Sequence, residues 1–329
     1  MDSVRKIKDV PYCSTDLGID PLRTLDLYIP EALFDPLDNP QPERKVVLVV
    51  FAHGGAWRTG DKSDHASLAR RWASPNLSSS ASPSEKGGAV TLAVVAVPNY
   101  RLSPVVKHPV HTDDIHTALQ LLLSPFRLSH ILGMDPTPSF EYSSVWIAGH
   151  SAGAHIAATL VLSASHFAPS PESDHERDPS MLSRITGVIG IQGIYDIDLL
   201  LENFPSDFYR GFIEQAFGDH SGPDSGREGT ENVLPYEDVS AAKYGLPLSG
   251  TADKLDWVII HSPEDDLVDL AQAETMCAHL RRLYGGKEDF RPTTPGARVS
   301  LEDRRVLGGH SEVLETEELA LFVREIVSR

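Results

Sequence analysis

Cysteine is nearly absent from this chain: Cys13 and Cys277 are the only two among 329 residues, and they lie far apart. Usage this sparse argues against a disulfide framework and fits a reducing, cytoplasmic compartment. Basic side chains are also scarce, 29 Lys and Arg against 47 Asp and Glu, for a formal charge of −18. Nucleic acid and anionic membrane both need a basic patch, so neither is expected as a partner. The acidity reads as a device for solubility. No apolar run approaches the roughly 20 residues of a membrane span. The opening Met1-Asp2-Ser3-Val4-Arg5-Lys6 lacks the apolar stretch of a secretory signal. No repeat period is detectable.

What the chain does have is alternation. Short apolar segments are expected as strands at Val46–Ala52, Val90–Val97, Ser144–Ala148, Arg184–Gln192, Leu255–His261 and Ala297–Leu307. Between and after them, helical patterns run at Asp61–Ala73, His111–Leu123, Ala154–Leu162 and Ser311–Val327. Strands alternating with helices predict an α/β fold, a mainly parallel central sheet flanked by helices on both faces. A chain of this length can keep one core, so a single domain over 1–329 is expected. Asp113 and Asp114 fall in the first turn of the second helix, where acids suit the dipole. Residues 74–89 read as a flexible Ser-rich surface loop. From about 193 to 252 the periodicity weakens, and this stretch reads as a small cap over the site.

Gly149-His150-Ser151-Ala152-Gly153 spells G-x-S-x-G between a predicted strand and a predicted helix. That context turns a short pattern into a nucleophile elbow, in which Ser151 sits on a strained turn with its hydroxyl lifted clear of the sheet. Small residues on either side leave room for the turn, and the helix that follows aims free N–H groups at developing negative charge.

A second feature follows the first long apolar strand: His53-Gly54-Gly55-Ala56-Trp57. Glycine lets the backbone approach a reacting carbonyl closely. The amides of Gly54, Gly55 or Ala56, with that of Ala152 after the nucleophile, are expected to form an oxyanion hole.

A serine hydroxyl needs a base, and the base needs a carboxylate to orient it. In the chain order Ser, acid, His, the loop Ser262-Pro263-Glu264-Asp265-Asp266 offers the acid and Leu307-Gly308-Gly309-His310-Ser311 offers the base. His150 and His155 fall on the wrong side of that order, His53 belongs to the oxyanion loop, and His261 ends a strand as a packing residue. His108, His111 and His116 lack metal-ligand spacing, so no metal is expected. His310 is the remaining histidine that follows the acid and sits in a glycine-flanked loop.

Gly149 to His155, with His53 to Trp57 and Asn99-Tyr100-Arg101-Leu102-Ser103-Pro104, resembles the esterase/lipase branch of the α/β-hydrolases. The HGGAW loop and GHSAGAH elbow resemble the kynurenine formamidases (arylformamidases) in particular, and the similarity spans about Val46 to His310. Within this resemblance Asp265 matches the acid of an H-G-x-x-D-x-x-V pattern beginning at His261, with Asp266 as the alternative and Glu264 behind both. It implies hydrolysis of N-formyl-L-kynurenine to kynurenine and formate by a Ser151–Asp265–His310 triad, without metal or organic cofactor. The partner is then a small-molecule substrate, N-formylkynurenine or a related aryl formamide or ester; a homodimer stays open. A carboxylesterase on short acyl esters is the competing activity, and a catalytically silent binding module a third reading that the intact triad opposes. Trp57 either narrows the acyl pocket or packs beneath its loop; Tyr195 either faces the pocket or is structural. Tyr100 and Arg101 are assigned to the scaffold, Arg101 by pairing with a carboxylate.

Overall fold

Side chains of alternating direction along one β-branched run set the layers of the molecule. In β3 (Arg44–Ala52), Val47, Val49 and Phe51 enter one apolar cluster while Leu48, Val50 and Ala52 enter another, and all six are buried. A strand buried on both faces belongs in a parallel sheet covered on both sides. The computed structural model describes residues 4–13, 18–34, 44–74, 90–124, 130, 141–162, 179–219, 236–246, 255–285 and 298–329.

The remaining strands are β1 (Val4–Pro11), β2 (Thr24–Pro30), β4 (Val90–Pro98), β5 (Ser144–His150), β6 (Gly187–Ile191), β7 (Asp256–Ile260) and β8 (Arg298–Glu302). They form one eight-stranded sheet in the order β1-β2-β4-β3-β5-β6-β7-β8. The pairs β1/β2 and β2/β4 are antiparallel; the rest, from β4/β3 to β7/β8, are parallel. On one face pack α2 (Val110–Leu122), α3 (Ala152–Leu162) and α7 (Leu270–Leu283). The opposite face carries α1 (Ala66–Ala73) and α8 (Glu317–Val327). Short helices α4 (Pro179–Leu182), α5 (Ile197–Asn203) and α6 (Asp207–Phe217) lie between β5 and β7 in the chain. Among the described residues no helix is long and apolar enough to cross a membrane.

Several boundaries differ from the sequence reading, each for a local reason. The helix expected from Asp61 starts as a 3₁₀ turn, Lys62–His65, in a capping box: the Asp61 carboxylate accepts the Ser63 amide at 2.8 Å and the Asp64 carboxylate accepts the Asp61 amide at 3.0 Å. The closing helix is interrupted at Thr316, whose hydroxyl takes the Leu319 amide at 3.3 Å and restarts the helix as α8. The last strand ends at Glu302 rather than Leu307: the Glu302 carboxylate takes the amides of Arg304 and Arg305 at 3.0 and 2.7 Å and turns the chain. Arg184 precedes β6 instead of opening it, with its amide on the Met181 carbonyl in a turn. The antiparallel pair β1/β2 has no counterpart in the sequence reading.

Asp114 does not play the helix-dipole role expected from its position. Its carboxylate is buried, not placed at a solvated helix end, and it receives Arg101 through Nε at 2.9 Å and Nη2 at 2.9 Å. The Arg101 amide adds 2.9 Å and Arg23 approaches to 3.7 Å. This acid is an ion-pair partner, and the dipole explains little of it. Of the Ser-rich loop, 75–89 lie outside the described residues. Of 193–252, the described parts form α5, α6 and the 3₁₀ turns Glu237–Val239 and Ala241–Lys243; 220–235 and 247–252 lie outside.

Candidate active site

β5 delivers His150, the chain reverses at Ser151, and α3 begins at Ala152. Ser151 has φ 55°, a left-handed conformation that strains a side-chain-bearing residue by about 1–3 kcal/mol. The strain is held from both sides. The Ser151 amide donates to the Ile191 carbonyl at 3.0 Å, and the Ser151 carbonyl accepts from Ala154 at 3.0 Å. Both glycines of the elbow are required by close approach: a Cβ on Gly149 would overlap the Gly153 carbonyl, and one on Gly153 would overlap the Ala52 carbonyl. Ala152 is buried at the first position of α3, where a backbone N–H has no partner within the helix.

The loop after β3 turns through three left-handed residues, Gly55 at φ 105°, Ala56 at 51° and Trp57 at 59°. Its peptides are oriented from beneath. The Tyr100 hydroxyl donates to the His53 carbonyl at 3.0 Å, and His53 Nδ1 donates to the Gly54 carbonyl at 2.8 Å. Within a trans peptide the N–H points opposite to the C=O, so fixing these carbonyls also fixes the directions of the Gly54 and Gly55 N–H groups. Burial pushes His53 down to about 4, which keeps that ring neutral.

Asp265 and His310 meet although 45 positions separate them: His310 Nδ1 donates to Asp265 Oδ2 at 2.8 Å. The other oxygen, Oδ1, accepts the amides of Leu267 and Val268 at 2.9 and 3.0 Å. Burial alone would raise the Asp265 pKa, but the His310 hydrogen bond and charge, with those two amides, hold it below the usual carboxylate range. Asp266 and Glu264 of the same loop are exposed. His261 Nε2 donates to the Val268 carbonyl at 2.9 Å, so this histidine shapes the acid loop.

Three side chains that the sequence reading gave no part hold the loop of His310. His150 Nε2 donates to the His310 carbonyl at 2.7 Å, Gln192 Nε2 donates to the Gly308 carbonyl at 3.3 Å, and Ser262 Oγ accepts the Gly308 amide at 3.0 Å. Gln192 and Ser262 follow the ends of β6 and β7, and that position was the available signal.

Ser151, His310, Gly54, Gly55 and Ala56 share the wall of a cavity of about 570 Å³, within the range of small-molecule sites. Phe208, Tyr209 and Phe212 of α6 form another side of it. Trp57 and Tyr195 do not reach this wall. Trp57 is fully buried against His155 and Phe217, ring centroids 5.2 and 4.9 Å away, and Tyr195 is buried beside Gly190 and Gly193. Both pack under the site.

A mostly parallel sheet with the elbow after β5, the glycine loop after β3 and an acid loop after β7 has the α/β-hydrolase fold. The chain belongs to the BD-FAE family, whose profile matches residues 25–280. It is 25% identical over 236 residues to a kynurenine formamidase of Meyerozyma guilliermondii, covering 71% of each chain. It is 28% identical over 278 residues to a probable isoprenylcysteine alpha-carbonyl methylesterase of Oryza sativa, covering 82% of this chain and 56% of that one. Esterase B of Lactobacillus rhamnosis, solved in an inhibited form, superposes with a TM-score of 0.59 at 19% identity over 99% of this chain and 87% of its own.

Proposed function

We propose that this hydrolase cleaves the formamide bond of N-formyl-L-kynurenine, releasing kynurenine and formate through a formyl-serine intermediate. The observation that carries the reading is the 2.8 Å bond between His310 Nδ1 and Asp265 Oδ2, with His310 and Ser151 on one cavity wall. In that arrangement the Nδ1 proton is committed to Asp265, leaving Nε2 with the lone pair a general base needs. Nε2 takes the proton of Ser151 Oγ as the oxygen bonds to the formyl carbon. The negative oxygen of the tetrahedral intermediate rests on the amides of Gly54, Gly55 or Ala56 and of Ala152; one such donor is worth about 3–4 kcal/mol. His310 then returns the proton to the aniline nitrogen as the C–N bond breaks. Water repeats the sequence on the formyl ester, and formate leaves. The aromatic side of the cavity, Phe208, Tyr209 and Phe212, suits an aryl leaving group.

Cleavage of short acyl esters is the second reading, favoured by the likeness to a probable methylesterase over 82% of this chain. The two part on kcat/KM for N-formylkynurenine against p-nitrophenyl acetate with purified protein. A higher value on the formamide supports the first reading, and a strong preference for the ester defeats it.

A further inference from the structure

Among the described residues, Arg58 stands on the cavity wall with no carboxylate paired to it. Arg58 follows the glycine loop, is half-buried, and places its guanidinium 5.4 Å from the centroid of Phe208 and 5.8 Å from that of Phe212. Among the described residues no carboxylate lies within ion-pair distance of it. The two acids on the same wall are already engaged: Asp64 caps the Asp61 amide at 3.0 Å and Glu315 holds Arg71 at 3.0 Å. Apolar surface is exposed beside the guanidinium. Phe208 is 60% exposed and Leu267 45%, and both line the cavity.

Ring faces hold a guanidinium flat but leave its N–H fork outward, and that fork matches a carboxylate with two parallel hydrogen bonds. Exposed aromatic surface beside it gains by covering a second ring. The geometry points to Arg58 as a specificity-determining residue that binds a carboxylate on the substrate's aryl half, while Phe208 and Phe212 take the ring. The preferred substrates are therefore aryl formamides or esters that carry a carboxylate, over those that lack one. This deepens the formamidase reading and rests on it for the reaction, though recognition of the anion requires no turnover.

The test is equilibrium binding of benzoate and of benzamide, equal in shape and different in charge, followed by ligand-observed NMR titration. Wild-type protein should bind benzoate at least tenfold more tightly, and Arg58→Met should lose that gap. Arg58→Lys, which keeps the charge without the fork, should retain part of it and decides the matter if the methionine variant does not fold. Equal binding of the two ligands by wild type, binding of neither, or a gap that survives Arg58→Met overturns the inference. Failure of the formamidase reading shows instead as absent turnover of N-formylkynurenine, which leaves the binding result intact.

Discussion

His150 donates from Nε2 to the backbone carbonyl of His310 at 2.7 Å, so the residue that precedes Ser151 also holds the loop of His310. The contact is rigid on one side, because His150 ends β5 and is almost fully buried. Its ring also stands 4.7 Å from that of His310 between centroids. Acyl transfer needs the two reacting side chains in register to a fraction of an ångström.

His150→Ala is therefore expected to lower kcat by roughly a hundredfold while changing KM much less, the cost of a misplacement on the order of 1 Å. Steady-state kinetics with urea denaturation of the same sample separates loss of position from loss of fold. Unchanged kcat in a folded variant would remove His150 from any positioning role.

Much of this site was legible in the sequence, for a physical reason. An elbow and a glycine loop are steric solutions, and sterics leaves a local signature: Gly149, Gly153 and Gly55 stand where a Cβ would overlap a carbonyl. Asp265 could be selected from its neighbours only by pattern, since all three acids of the loop suit an exposed turn. His150, Gln192 and Ser262 were missed because each acts on a segment more than 40 positions away, and no periodicity reports such a bond. Asp114 departs from its helix-dipole expectation because helix position is a local property, whereas its partner Arg101 lies 13 positions back in the preceding loop.

Asp265→Asn is expected to reduce kcat by about 10³ to 10⁴-fold, because an amide there favours the wrong imidazole tautomer. Asp266→Asn and Glu264→Gln should stay close to wild type. Full activity in Asp265→Asn would pass the orienting role to Asp266. Asp265 is also held below the ordinary carboxylate range, so it stays charged from pH 5 to 9. One protonation should then govern the rise of kcat/KM with pH in that window; a limb steeper than one proton would contradict the assignment.

Ser151 at φ 55° offers a test on stability alone. Ser151→Ala keeps a Cβ in the left-handed region and Ser151→Gly removes it. Both variants should lose acyl transfer, and the glycine variant should be the more stable by about 1 kcal/mol in urea unfolding. An alanine variant at least as stable as the glycine one would mean that the elbow relaxes when its hydroxyl is gone.

Breaking the Asp114 pair should be costly. The carboxylate is 1% exposed with two arginines beside it, and Asp114→Ala leaves Arg101 and Arg23 facing an uncompensated site. A loss of about 3–5 kcal/mol in unfolding free energy is expected, since removal of one partner strands a buried charge. A loss below about 1 kcal/mol would show that water reaches the site and replaces the carboxylate.

Buried histidines set the response to acid, and burial lowers His65, His261 and His279 as well as the four most strongly shifted. Burial pushes His53 and His155 down to about 4, and His111 and His150 down to about 3. In the unfolded chain each titrates near its ordinary value of about 6.5. Above that pH neither state binds the proton and these groups leave stability flat. Between about 6.5 and 4 the unfolded chain binds protons that the folded one refuses, so stability falls as pH falls, by about 1.4 kcal/mol per unit for each histidine. Four acting together make the slope steep well above the carboxylate range. Urea midpoints measured from pH 8 to pH 4.5 should therefore hold level down to about 6.5 and then drop sharply. A midpoint that stays level to pH 5 would mean that at least some of these rings take up a proton within the folded protein.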